Sequence, residues 1–348
     1  VNRSNSDVTA GEPPALVSRT FGTSRHTTHY LESGPADGPL MVFLHGWPSI
    51  GLMWRAQVEA FARDGWRCVA PDLRGYGGSS SPADTDAYTI ESIVTDMTEL
   101  HDHLGGAPAI WVGHDWGSVV AADLTAHEPA LSRGLVLTSL AYLPDGHALP
   151  TLIPLVDREI YPADEYPDGQ WDYYRYYTEH FTSAVADLDA DLVSSLASIF
   201  QPGDPAGVGK VSPNALVTRN GGRFGTAHRA PLTRPDPSIW PPDDFDVLVQ
   251  TFAERGFRPG CAWYLNDDAA LAYARTAPDG GRLSQPVLFV NGEFDQICTI
   301  TGNRLGEPMR EACDNLTVVG VSAGHWLPLE RSGDHIDSIR NWLRAEHL

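Results

Sequence analysis

Three short segments hold the residues that could do chemistry: Gly113-His114-Asp115-Trp116-Gly117, Asn291-Gly292-Glu293-Phe294-Asp295 and Gly324-His325-Trp326. The first follows the apolar run Ile110-Trp111-Val112 and leads into Ser118-Val119-Val120-Ala121-Ala122. A strand, a Gly-x-Asp-x-Gly turn and a small-residue helix start make the sequence form of a nucleophile elbow, in which a strained turn lifts one side chain above the end of a sheet. Serine is the usual occupant; here it is Asp115. A carboxylate needs no base to activate it, and it attacks an electrophilic sp³ carbon to leave an alkyl ester on the enzyme. Water must then cleave that ester. The second step needs a histidine to deprotonate the water and an acid to orient the imidazole. His325 and Asp295 are placed for those roles, each just past a β-prone apolar run (316–319 and 286–290).

The tetrahedral oxyanion of the second step also needs donors. The backbone N–H of Trp116, directly after the nucleophile, is one. The N–H of Trp47, in the loop His45-Gly46-Trp47-Pro48 after the run Leu40–Leu44, is the other. His45 shapes that loop and is assigned no proton transfer.

The elements that must position these groups follow in chain order. Two β-prone stretches, 16–20 and 26–31, suggest a hairpin or two edge strands. Leu40–Leu44 reads as a strand buried on both faces. Further strands are expected at 68–70, 110–113 and 134–138, with helices over about 53–64 and 88–104. This alternation implies an α/β architecture, a mostly parallel sheet flanked by helices. The composition changes from 145 to 278, which is rich in Tyr, Trp, Pro and Asp and has helical periodicity at 173–200, 245–256 and 267–275. A Pro/Gly-rich stretch, 201–244, escapes that periodicity and is expected to shape an entrance. Strands return at 286–290 and 316–319, and a helix closes the chain over 336–344. The expected organisation is a loose tail over 1–15, a core over 16–144 and 279–348, and an inserted helical cap over 145–278. Such an insert lies over the carboxyl ends of the strands, where open α/β sheets bind ligands.

With 348 residues and 42% hydrophobic content, the chain can bury one large core and a smaller subdomain. It contains no apolar run of membrane-spanning length. Its net charge of −21 argues against nucleic acid and anionic membranes as partners. Cys68, Cys261, Cys298 and Cys313 have neither disulfide-framework nor zinc spacing, and free thiols fit a cytoplasmic protein. The glycine-rich loop 71–79 lacks the Gly-Lys-Ser/Thr of a P-loop.

Taken together, the segments His45-Gly46-Trp47-Pro48, Gly113–Gly117, Gly292–Asp295, Gly324–Trp326 and the stretch Gly256–Asn266 with its Trp263-Tyr264 pair resemble soluble-type epoxide hydrolases of the α/β-hydrolase fold. The resemblance runs from about residue 16 to the end. It implies a helical cap over the site, a small apolar epoxide as substrate, a vicinal diol as product, and no cofactor or metal. It also implies two cap tyrosines on the epoxide oxygen, and ring opening does develop an alkoxide that a phenol can protonate. Tyr264 fills one role. The register favours Tyr173 for the other, with Tyr174, Tyr176 and Tyr177 left open. Trp47, Trp116, Phe181 and Trp263 are expected to line the cleft. A haloalkane dehalogenase would share the Asp nucleophile and histidine but would not need a cap tyrosine. A binding protein on the same scaffold is the non-enzymatic alternative. Oligomeric state, a homodimer included, and the choice between detoxification and carbon acquisition are open.

Other polar groups receive structural readings. His101 and His103 diverge at i and i+2 of a helix and are expected on its surface rather than on a metal. Asp96 and Asp123 are expected to be solvated. His114 is expected to pack or to bond behind the site, and Glu293 to yield the acid's role to Asp295.

Overall fold

The computed structural model describes residues 15–348; apart from its last residue, the expected tail over 1–15 lies outside them. Among the described residues eight strands form one sheet: β1 (Val17–Gly22), β2 (Thr27–Ser33), β3 (Leu40–Leu44), β4 (Arg67–Pro71), β5 (Ala109–His114), β6 (Ser132–Thr138), β7 (Leu283–Gly292) and β8 (Cys313–Val321). Their order is β1-β2-β4-β3-β5-β6-β7-β8. The hairpin β1–β2 and the β2–β4 pair are antiparallel, and the remaining pairs are parallel.

Every residue of β3 and β5 is buried, as their unbroken apolar runs require of strands covered on both faces. Parallel pairing also brings the strand ends into line. Leu44 registers with Gly113, His114 with Thr138, and Gly292 with Val321. The loops that leave β3, β5, β7 and β8 therefore emerge at one edge of the sheet, and they carry Trp47, Asp115, Asp295 and His325.

Helices α1 (Arg55–Arg63), α2 (Ile90–His103), α3 (Trp116–His127) and the C-terminal helix Ser332–Ala345 cover the sheet, with α2 packed on α3 and α1 on the C-terminal helix. α3 is buried over almost its whole length, which explains its small residues. A Cβ on Gly117 would lie 2.1 Å from the Leu44 carbonyl oxygen, so the helix can start this close to β3 only with glycine there.

Residues 139–282 leave the sheet after β6 and return at β7, and they are largely helical. The periodic stretch 173–200 is three helices rather than one: Asp172–Glu179, Phe181–Asp189 and Leu192–Ile199. His180 breaks the first junction with φ −122° and ψ 35°. Asp191 breaks the second, because its carboxylate accepts from the Ser194 N–H at 3.1 Å and so starts a new helix.

Three other expectations are corrected. Asp96 is buried, not solvated, and Arg74 grips it through two bonds of 2.8 and 2.7 Å, with Arg25 adding a third at 2.6 Å. Asp123 is also buried, and burial pushes its carboxyl up to about 7. His101 is fully buried, and its Nε2 donates to the Ala107 carbonyl at 2.8 Å; only His103 reaches the surface, stacked on Phe21. For Asp96 and His101 the partner lies outside the helix, which the helix's own spacing does not report.

Candidate active site

Asp115 sits between β5 and α3 with φ 53° and ψ −127°, a conformation that costs energy for any residue with a Cβ. The turn is held by packing on both sides. A Cβ on Gly46 would fall 2.3 Å from Asp115 Oδ1, and one on Gly113 would meet the α3 backbone at 2.4 Å. Glycine at these positions lets three chain segments converge on one carboxylate.

The Trp47 N–H donates to Asp115 Oδ1 at 2.8 Å, and the Trp116 N–H also bonds the carboxylate. Oδ2 faces His325, whose Nε2 is 3.7 Å away. Behind it, His325 Nδ1 donates to Asp295 Oδ2 at 2.8 Å, while Asp295 Oδ1 accepts from the N–H groups of Ile297 and Cys298, each at 3.0 Å. The His325 backbone is fixed as well, since its carbonyl accepts from His114 Nε2 at 2.8 Å and from the Ser139 hydroxyl at 3.0 Å. Glu293 points elsewhere and accepts from Ser322 at 2.9 Å.

The electrostatics separate these groups. Burial raises the Asp115 carboxyl above its ordinary value, and the Asp295 charge adds to this, while His325 and the two amides oppose it. Burial also opposes ionisation of Asp295, but the His325 partner and the amides prevail and hold it low. Burial pulls His325 down, yet the Asp295 carboxylate prevails and sets it above 6.5. His45 is driven down to about 4 by burial; as a neutral ring it accepts from the Leu73 N–H and bonds the Gly46 carbonyl, each at 3.0 Å. It braces the Trp47 loop.

A cavity of about 950 Å³ opens over Asp115, and it is lined by Trp47, Tyr173, Tyr264, Asp295 and His325 among others. Of the four tyrosines on the helix Asp172–Glu179, only Tyr173 lines it. Tyr174 bonds the Asp267 carboxylate, Tyr176 donates to the Gly221 carbonyl at 3.3 Å, and Tyr177 is buried behind Trp47. The rings of Tyr173 and Tyr264 meet edge to face with centroids 6.0 Å apart. Burial raises both phenols well above 10, so both keep their protons at neutral pH. The Thr178 hydroxyl is shared between the Tyr174 and Tyr264 carbonyls at 3.1 Å, which ties the two tyrosine-bearing segments together.

A model of the alpha/beta hydrolase fold matches residues 39–186. Epoxide hydrolase A of Mycobacterium tuberculosis is 30% identical over 336 residues, which are 96% of this chain and 99% of that one. The chain belongs to the α/β-hydrolase-fold epoxide hydrolases. An epoxide hydrolase of Caballeronia sordidicola is 28% identical and covers 99% of this chain and 97% of its own. The solved structure of epoxide hydrolase A from Mycobacterium thermoresistibile superimposes with a TM-score of 0.76 at 27% identity, over 95% of this chain and 98% of that one.

In this member of the epoxide hydrolase family, three residues expected in the cleft wall lie behind it. The Trp116 indole is buried against His147, Tyr174, Trp263 and Tyr264, and only its backbone N–H faces the site. Trp263 turns away and donates to the Arg74 carbonyl at 3.2 Å. Phe181 lies outside the cavity beneath the Arg258 guanidinium, 5.0 Å from it. All three belong to the layer that supports Tyr264 and the cap.

Sequence reasoning missed Arg223, Phe294, Cys298 and Trp326 on the cavity wall. Phe294 and Trp326 adjoin Asp295 and His325 in sequence, which was a usable signal. The stretch 201–244 also contributes wall residues, including Ser212, Asn214 and Val217. It is anchored beside the histidine, because Glu330 accepts from both Gly203 N–H (3.1 Å) and Gly324 N–H (2.8 Å). Asp295, Cys298 and His325 are the one His/Cys/acid group among the described residues whose ligand atoms lie within 4.8 Å of one another. Two of its members already bond each other. Among the described residues no helix is long and apolar enough to cross a membrane.

Proposed function

We propose that the protein hydrolyses a small epoxide to a vicinal diol through an ester on Asp115. The observation that carries this reading is the division of labour at one carboxylate. Oδ1 is tied by the Trp47 N–H, and Oδ2 is left open toward a cavity that Tyr173 and Tyr264 line. Relatives named epoxide hydrolases along nearly the full chain support it.

In the first step Oδ2 attacks one oxirane carbon, the C–O bond breaks, and the ring oxygen takes a proton from a tyrosine hydroxyl. Two phenols that hold their protons at neutral pH suit a developing alkoxide. In the second step His325 removes a proton from water, and the hydroxide adds to Cγ of Asp115. The Trp47 and Trp116 N–H groups stabilise the oxyanion formed on Oδ1. Asp295 stabilises the imidazolium. Collapse breaks the ester bond: the departing alkoxide takes the proton from the His325 imidazolium, the proton left on the Asp115 carboxyl returns to the tyrosinate, and the diol leaves with His325 neutral, Asp115 ionised and the tyrosine protonated. Every group in this cycle belongs to the chain.

The same reading takes residues 145–278 as the cap, 16–144 with 279–348 as the core, and the cytoplasm as the location. Product analysis tests it. Styrene oxide and 1-chlorobutane are incubated separately with purified protein, with Asp115→Asn as the blank. Diol from the first without chloride from the second is the expected result. Chloride without diol would make the protein a dehalogenase and remove the reason for two cap tyrosines.

A further inference from the structure

We propose that the cavity is built for epoxides that carry a carboxylate, and that Arg223 is the residue that recognises it. This inference rests on the epoxide reading and narrows its substrate class.

The chain has 45 acidic residues against 24 Lys and Arg, so an arginine here has many potential partners. Arg74 takes buried Asp96, and Arg55 takes Asp244 at 2.7 Å. Arg229, which also borders the cavity, takes Asp191 at 2.9 Å. Arg223 has no carboxylate within 4.0 Å among the described residues, although it lines the cavity together with Asp115 and is only partly exposed. Its contacts are uncharged, and the Tyr177 hydroxyl is one of them. The guanidinium lies over the Trp47 ring, 5.9 Å from its centroid, and Nη1 is 3.5 Å from Asn214 Oδ1, at the limit of a hydrogen bond.

A partly buried guanidinium without a counter-ion is costly unless something in the cavity completes it. A carboxylate does so best, because the planar fork of donors matches its two oxygens. The acids on the cavity wall are otherwise engaged. Asp295 serves His325, and Asp204 accepts from the Ala206 N–H at 2.8 Å. The location is also chemically useful. Trp47 bonds Asp115 through its backbone and carries Arg223 over its ring, so a single residue separates the nucleophile from the cation. A substrate with an oxirane at one end and a carboxylate about an aromatic ring away would engage both at once. Binding energy at Arg223 would then hold the oxirane over Oδ2.

The test compares 4-(oxiran-2-yl)benzoate, its methyl ester and styrene oxide on the purified full chain and on the Arg223→Gln and Arg223→Lys variants. The readout is the ratio of kcat/KM for the acid to that for the ester, which cancels any general effect of a substitution on folding. In the parent protein the acid is preferred by about ten-fold or more, as for a charge-assisted pair in a partly dry site. Arg223→Gln brings the ratio to about one or below, mainly through the KM of the acid. Arg223→Lys restores part of it, since a point charge attracts but does not match the fork. A parent ratio of one or less, or a ratio unmoved by Arg223→Gln while styrene oxide is still converted to diol, overturns the role of Arg223 and leaves the epoxide reading intact. No diol from any of the three compounds overturns both.

Discussion

His325 Nε2 stands 3.7 Å from Asp115 Oδ2, too far for a hydrogen bond and close enough to share a water. A histidine that activates a serine must touch it; this one need not touch its nucleophile, because the carboxylate is already ionised when it attacks. The base acts only after the ester exists. Replacing His325 with Gln should therefore leave ring opening in place and stop hydrolysis. Intact-protein mass spectrometry after mixing with styrene oxide should show a stable adduct of the epoxide's mass, and a labelled peptide should map it to Asp115. An unmodified protein that has also lost activity would place His325 in the first step.

Asp115→Asn removes the nucleophile and should abolish turnover. It should also stabilise the fold. Burial raises the carboxyl's pKa, so at neutral pH the folded state holds the ionised group at a cost that the unfolded state does not bear. An amide of the same shape keeps an oxygen for the Trp47 and Trp116 N–H groups without that charge. Differential scanning calorimetry should show Tm higher by about 1–3 °C, the range of modest gains found when a strained active site is relieved. A lower Tm would mean that the two amide bonds outweigh the cost of burial.

Tyr264→Phe and Tyr173→Phe should each slow ring opening by about 10–10³-fold, as loss of one transition-state donor does. Single-turnover kinetics should place the loss in formation of the ester. Hydrolysis of the ester should be unaffected, because its oxyanion lies on Asp115 between the amides of Trp47 and Trp116. The double variant should lose more than either single one. Equal rates for Tyr173→Phe and the parent would pass the role to a neighbour on the same helix.

The acid limb of the pH profile should belong to the second step. His325 must be neutral to take a proton from water, and Asp295 raises its pKa above 6.5. Turnover should therefore rise with pH through that raised value, and below it the ester should accumulate. The same shift has a thermodynamic consequence of opposite sign. The protonated imidazole is favoured in the folded state, so its contribution to stability is complete below about 6.5 and is lost as pH rises through the folded value. Asp295→Asn should remove both effects, lowering the acid limb and flattening this part of the stability profile.

The catalytic order of the chain was legible because it is written locally. Asp115, Asp295 and His325 each follow a strand, and parallel strands carry their ends to one edge whatever the rest of the chain does. The glycines around Asp115 were legible for the same reason, since contact distances of 2.1–2.4 Å leave no alternative residue. The direction of the cap side chains was not. Phe181, Trp263 and the Trp116 indole were expected in the cleft because aromatic residues often line one, and whether a ring faces the cavity or the layer behind it depends on how helices from distant segments dock. Asp96 shows the same limit in the core, since Arg74 and Arg25 approach it from two other elements. Arg223 lies in a Pro/Gly-rich stretch with no periodicity, and its lack of a carboxylate partner becomes visible only when all its neighbours are in place.

Glu330 bonds Gly203 on one side and Gly324 on the other, and Gly324 precedes the histidine. One carboxylate thus clamps the insert to the loop that carries the base. At this corner the cover and the catalytic apparatus form an interlock: prising them apart would also take one restraint off the loop that leads into His325. A gap at the clamped corner would then come with a loosened base rather than a merely exposed one. Hydrogen exchange should report the coupling directly, since Glu330→Gln should speed exchange at Gly203 and Gly324 together. Faster exchange at one of them alone would show that the two loops move independently.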